Sequence, residues 1–327
     1  MLRRTDVKIM LLLFILASFI GCDNKAGGER LMPRQLRNYQ FERTSLRVER
    51  GRYLVALGEC FGCHSPIDST LLLPLPGKEG IGDIIDTVGP VVAPNITPDV
   101  ETGAGSWTDD MFVRAIREGF GHDGRPLHSS MRSEYYGILT EEDVASVVVY
   151  LRSLPPVRHE LPKIVWPDGQ RGYREGPMST PASPGELLDT LGLGGYLVRY
   201  ARCEHCHSPV DSFGNKKPGL RFAGGTIGIN DSTEVIVSKN LTQDPTGIPY
   251  YDEALFIQTI RTGRVGGVRE LNPWMEWPYL RNMTDDDLKA VFKYLQVQPP
   301  VHHNVDNSEP PRPCKLCETT HGLGDLN

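Results

Sequence analysis

Two pentapeptides in this 327-residue chain carry its most specific chemistry: Cys60-Phe61-Gly62-Cys63-His64 and Cys203-Glu204-His205-Cys206-His207. Thiols two residues apart can add across the two vinyl groups of one haem, and the histidine that follows can then reach the iron. Each pentapeptide therefore offers a covalent tether and one axial ligand. A zinc half-site or a redox disulfide would use the same cysteine pair. Paired zinc half-sites, however, lie within roughly 20 residues of each other, whereas 139 residues separate Cys63 from Cys203. The reading is two covalently bound haem c groups on Cys60, Cys63, Cys203 and Cys206, with His64 and His207 on the irons.

The ligand opposite each histidine follows from an internal repeat at an offset of about 144 residues. Gly51-Arg52-Tyr53-Leu54-Val55 returns as Gly194-Gly195-Tyr196-Leu197-Val198, His64-Ser65-Pro66 as His207-Ser208-Pro209, and Asn95-Ile96-Thr97 as Asn240-Leu241-Thr242. Ile116 to Gly119 matches Ile260 to Gly263, and Tyr150-Leu151 matches Tyr294-Leu295. Of eight methionines, only Met131 and Met275 coincide at this offset. Both follow the second helix of their copy, where a thioether could approach the iron from the far side. His128 is a local rival in the first copy, but Asn272 stands at its equivalent. His159 and His303 coincide too, yet they follow a Pro-Pro stop and suit backbone or haem-propionate contacts.

The elements that must position these residues are helical. A helix starting near Ser45 should run into the first motif. A second opens on Asp109 and Asp110 and closes at Gly119, and a third runs from a Thr140 cap to the Pro155-Pro156 stop, with Thr284 and Pro299 repeating that pattern. Long Gly- and Pro-rich loops, Pro74 to Gly89 and Pro209 to Gly228, would wrap a haem edge. The expected fold class is all-α, with one haem domain over 45–160, a linker over 161–189 and a second domain over 190–305.

Residues 1–21 read as an export signal: Arg3, Arg4 and Lys8 precede an apolar run ending in Phe19-Ile20-Gly21-Cys22, which resembles a bacterial lipobox. Lipidation falls on Cys22, followed by an N-terminal linker to residue 44, and Asp23 resembles an inner-membrane retention signal. Without residues 1–21 the formal charge moves from −6 to −8. An acidic body with no basic run argues against nucleic acid and for a docking partner with a basic or apolar patch. In the tail over 306–327, Cys314-Lys315-Leu316-Cys317 is followed by Glu318 rather than His. A disulfide between Cys314 and Cys317 is the first reading there, with a metal site using His321 or a third haem as alternatives.

Several phrases together resemble a known family: Tyr53-Leu54-Val55 ahead of Cys60, Asn95-Ile96-Thr97-Pro98-Asp99, Arg117 with Gly119, Met131, Tyr150 to Pro156, and Phe222-Ala223-Gly224-Gly225. They are similar to dihaem class I c-type cytochromes related to the cytochrome subunits of membrane-bound alcohol and gluconate dehydrogenases. The resemblance covers residues 48–160 and 190–303. It implies two tandem class I cytochrome c domains, and the Cys22 lipobox with Asp23 adds a lipid-anchored protein on the periplasmic side of a bacterial membrane, the inner membrane being favoured. Electrons would pass from a dehydrogenase or quinol-oxidising complex to a respiratory acceptor, so the chain reads as a non-catalytic carrier or a dehydrogenase's cytochrome subunit. Those subunits commonly carry three haems and a Pro after the ligand methionine, where this chain has two motifs and Arg132 or Glu276. A dihaem cytochrome c peroxidase is the alternative. It needs an open iron site, against which the two matched methionines argue.

Overall fold

The longer helices begin at side-chain caps, whereas the two short helices that carry the cysteine motifs do not. In the computed structural model, which describes residues 32–86, 90–163, 180–211, 214–229, 235–306, 312–313 and 320–321, the Thr44 hydroxyl accepts from the Arg47 amide and opens α1 (Ser45–Leu57). This helix does not run into the first motif. It stops at Gly58, and Glu59, in the left-handed region at φ 56°, turns the chain into a separate short helix, α2 (Cys60–Cys63). Next, α3 (Asp109–Val113) is capped by Thr108, continues through a single π-type turn over Arg114–Glu118 and closes at Gly119. After a 3₁₀ turn over Ser129–Met131 come α4 (Ser133–Tyr136) and α5 (Glu141–Leu151), the latter capped by Thr140 as expected.

The second half repeats this order. Asp189 caps α6 (Thr190–Tyr200), Arg202 at φ 59° repeats the left-handed turn, and α7 (Cys203–His207) carries the second motif. Then follow α8 (Glu253–Thr262), the 3₁₀ turn Pro273–Met275, α9 (Trp277–Leu280) and α10 (Asp285–Gln296), capped by Thr284. The loops are less irregular than their composition suggests. Short antiparallel hairpins stand in both: β1 (Asp83–Asp86) with β2 (Pro90–Ala93), and β3 (Ile227–Ile229) with β4 (Val235–Val237). β-branched runs inside these Gly-rich stretches form the strands. Two further two-residue pairings join β5 (Arg264–Val265) with β6 (Arg269–Glu270), and β7 (Arg312–Pro313) with β8 (Thr320–His321). The protein is helical with few strands.

In each half the first helix packs against the last, α1 on α5 and α6 on α10. Two repeated glycines permit the close crossing. A Cβ on Gly51 would lie 2.0 Å from the Ser146 carbonyl oxygen, and one on Gly194 would lie 2.1 Å from that of Ala290. Leu54, Val144, Val147 and Val148 fill one side of the core, and Leu197, Leu288, Phe292 and Leu295 the other.

From Pro33 onward the two halves form one compact unit. Their contacts are reciprocal, as in a two-fold interface. Tyr53 donates to Asp287 and Tyr196 donates to Asp143, which are equivalent pairs in the repeat. Tyr200 also donates to the Leu54 carbonyl at 2.8 Å, and its ring meets that of Tyr136 edge-on. The export signal, Cys22, Cys314, Cys317 and most of the expected linker lie outside the described residues.

An extended arm over 33–41 straps the first half. The buried Asp110 carboxylate accepts from both terminal nitrogens of Arg34, at 2.7 and 2.6 Å, from the Arg37 amide and from the Tyr39 hydroxyl. Burial alone would raise its pKa, but these donors, Arg34 foremost, outweigh it and hold the value at about 2. A carboxylate with a folded pKa below its unfolded value of about 3.9 stabilises the fold above that pH and stops doing so as pH falls through the folded pKa. Acid should therefore release the strap between about pH 4 and pH 2. Urea titrations should show Asp110→Asn less stable than wild type by about 2 kcal/mol at pH 7, with the difference shrinking toward pH 2.

Candidate functional site

Both motif histidines are buried and held alike. His64 is 8% exposed and His207 6%, and each ring sits against a backbone carbonyl: His64 Nδ1 is 2.7 Å from the Pro94 oxygen, and His207 Nδ1 2.7 Å from the Lys239 oxygen. A carbonyl can only accept, so Nδ1 carries the proton. Burial lowers the pKa of both imidazoles and keeps them neutral. A neutral ring protonated on Nδ1 must present a bare lone pair on Nε2, the state required of a metal ligand.

Across from His207 stands the methionine expected from the repeat. His207 Nε2 lies 3.4 Å from Met275 Sδ. Since Nε2 has no proton, this is a pair of lone pairs facing each other, which a hydrogen bond cannot satisfy and a shared metal ion would. Met131 occupies the equivalent place on its 3₁₀ turn and packs on the core. The rival His128 has another task. Its Nδ1 accepts from the Ser130 amide at 3.2 Å and caps the turn, as the Asn272 side chain does for Trp274 at 3.0 Å. His159 and His303 take the expected backbone contacts, their Nδ1 atoms lying 2.9 Å from the Ile81 oxygen and 3.0 Å from that of Ala223.

None of the four motif cysteines forms a disulfide. Burial pushes Cys60 and Cys203 up to about 12 and raises Cys63 and Cys206 in the same direction, so all four are neutral near pH 7. Among the described residues, no group of three or more His, Cys, Asp and Glu is arranged to hold a metal ion. Two neutral thiols on one turn, followed by an oriented imidazole and in the second half faced by a thioether, fit a covalently bound haem.

A cluster of charge that sequence reasoning did not assemble joins the two motifs. Arg202 is 6% exposed and pairs with Glu59 of the other half and, at 3.0 Å, with Glu276. Arg132 Nη1 donates to His205 Nε2 at 2.5 Å, which leaves the His205 Nδ1 proton for the Tyr135 hydroxyl at 3.2 Å. Burial and the Arg132 charge bring His205 down to about 4. The only sequence signal was the replacement of Pro by Arg132 and Glu276. Their φ angles of 52° and 61° explain it, because a proline ring fixes φ near −65°.

No family model matches the chain. Individual relatives do. The chain is 29% identical over 283 residues to the cytochrome c subunit of a quinone alcohol dehydrogenase from Gluconacetobacter polyoxogenes, covering 80% of the chain and 58% of that subunit. It is 28% identical over 275 residues to the gluconate 2-dehydrogenase cytochrome c subunit of Pantoea cypripedii, covering 76% of the chain and 59% of the relative. The resemblance read from the sequence holds. A diheme cytochrome c-type protein of Cereibacter sphaeroides is 30% identical over 188 residues, covering 54% of the chain and 62% of the relative. The chain thus spans less than two thirds of the length of these relatives. None of the three is named a peroxidase.

If Met131 and Met275 each face an iron, the oxidised protein should show a near-infrared band from methionine-to-iron charge transfer. Met275→Ala should remove part of that band and Met131→Ala the remainder, each lowering one reduction potential, since a thioether favours the ferrous state. A full band in either variant would exclude that methionine as ligand.

Proposed function

We propose that this chain is a dihaem c-type cytochrome that relays electrons from a dehydrogenase or a quinol toward a respiratory acceptor. The facing lone pairs of His207 Nε2 and Met275 Sδ carry the reading, supported by the like-anchored His64 and by relatives named as dehydrogenase cytochrome subunits. Cys60 with Cys63, and Cys203 with Cys206, would hold one haem each, with His64 and Met131 on one iron and His207 and Met275 on the other. Bound haem supplies a one-electron couple. The chain's own residues do the rest. The Pro94 and Lys239 carbonyls orient the two imidazoles, burial keeps water from the proximal nitrogens, and His/Met ligation raises the potential above that of a bis-His site.

The proposal extends to a lipid anchor on Cys22, which would hold the relay on the periplasmic face of the inner membrane. Mass spectrometry of the unfolded protein should show two covalent haem additions. A third would assign haem to Cys314 and Cys317, and a single one would overturn the dihaem reading. Peroxide turnover should be negligible, and substantial turnover would move the assignment to a peroxidase. Cys22→Ser should shift the protein from the membrane to the soluble periplasmic fraction, because stable attachment depends on several acyl chains. Unchanged membrane retention would remove Cys22 as the anchor.

A further inference from the structure

Six non-glycine residues among those described have φ in the left-handed region: Glu59, Leu72, Arg132, Arg202, Phe222 and Glu276. Four of the six form the charged cluster between the halves. Glu59 and Arg202 are equivalent positions, each immediately before the first cysteine of its motif. Arg132 and Glu276 are also equivalent, each immediately after its methionine. The charges are exchanged between copies, so the acid of the first half, Glu59, meets the base of the second, Arg202, which also pairs with Glu276 of its own half. A left-handed conformation costs an L-residue about 1 to 2 kcal/mol, and glycine would remove that cost. Burying an ion pair adds a desolvation penalty. Strain and burial gathered on the residues that flank the tethers and the methionines point to a task beyond holding a turn.

We infer that Arg202, assisted by Arg132, is a shared charge junction that positions both haem-attachment loops and sets the potentials of the two haems together. The inference rests on the dihaem reading above. Arg202 bonds both halves at once. Besides the two carboxylates, its Nη1 donates to the Tyr136 hydroxyl at 2.8 Å, and Tyr136 in turn donates to the Gly58 carbonyl, at the turn into the first motif, at 2.8 Å. Arg202 itself immediately precedes Cys203, and its partner Glu59 immediately precedes Cys60, so the guanidinium stands beside both cysteine turns. Arg132 likewise bridges the halves, following Met131 in the first and donating to His205 inside the second motif. The guanidinium offsets the Glu59 and Glu276 carboxylates, whose negative charge would otherwise favour oxidised iron in both sites, and weak screening in a buried setting preserves the effect. An axial methionine, by contrast, belongs to one iron.

The test is a spectroelectrochemical titration of the holoprotein, with haem content measured first. Arg202→Gln should move both reduction waves to more negative potential, while Arg202→Lys, which keeps the charge, should leave both close to wild type. Arg132→Gln should move both in the same direction by less. Should Arg202→Gln fail to acquire two haems, the Arg132→Gln result decides alone. Movement of one wave only, or no movement, would overturn the shared junction. Equal shifts for Lys and Gln at position 202 would also overturn it, by assigning the effect to packing rather than charge. A wild-type protein without two haems, or without reversible reduction, would instead defeat the electron-relay reading.

Discussion

The hydrogen bond from each motif histidine to a backbone carbonyl constrains the rest of the site. Pro94 and Lys239 present oxygens that can only accept, so the protons of His64 and His207 are fixed on Nδ1 and the opposite nitrogens are left bare. Once that is settled, the thioether of Met275 facing His207 has a chemical meaning, and so does the burial that keeps both rings neutral. Both carbonyls stand just ahead of Asn95 and Asn240, at the end of the hairpin-bearing loop of each half. Asn95 Oδ1 accepts from the Thr97 amide and its Nδ2 donates to the Val157 carbonyl at 2.8 Å; Asn240 makes the same bonds to Thr242 and Val301. The repeated Asn-x-Thr phrase thus ties the carbonyl-bearing loop to the segment after the last helix, and through it to the ring.

The close crossings at Gly51 and Gly194 bring the same geometry out of helix packing. Each places the helix that leads into a motif directly against the last helix of its half, so the cysteine turn starts from a rigid point. Reciprocal tyrosine-to-aspartate bonds then join the two halves. The charged residues at the motif edges meet at that junction rather than in solvent, which gives the two cysteine turns a common electrostatic environment.

Residue type and spacing exposed the cysteine turns, the Thr140 and Thr284 caps, the Gly119 terminus and the pairing of Met131 with Met275, because each depends on side-chain chemistry at a short fixed offset. The acceptors of Pro94 and Lys239 were hidden, since a backbone oxygen leaves no mark on residue identity. The break between α1 and α2 was hidden as well: Glu59 is not a residue that favours the left-handed region, and its conformation is sustained by partners 143 or more positions away. Arg202 also takes that region, with partners between 66 and 143 positions away. Composition also made the Gly-rich loops look wholly irregular, although Asp83–Asp86 and Ile227–Ile229 pair as strands once the flanking turns bring their partners alongside.

Proton NMR of the fully reduced protein tests the central claim most directly. A methionine methyl held over a haem face is shifted far upfield by the ring current, apart from every other methyl in the chain. The account predicts two such three-proton singlets, one from Met131 and one from Met275. A spectrum with one singlet or none, in protein shown to carry two haems, would contradict it.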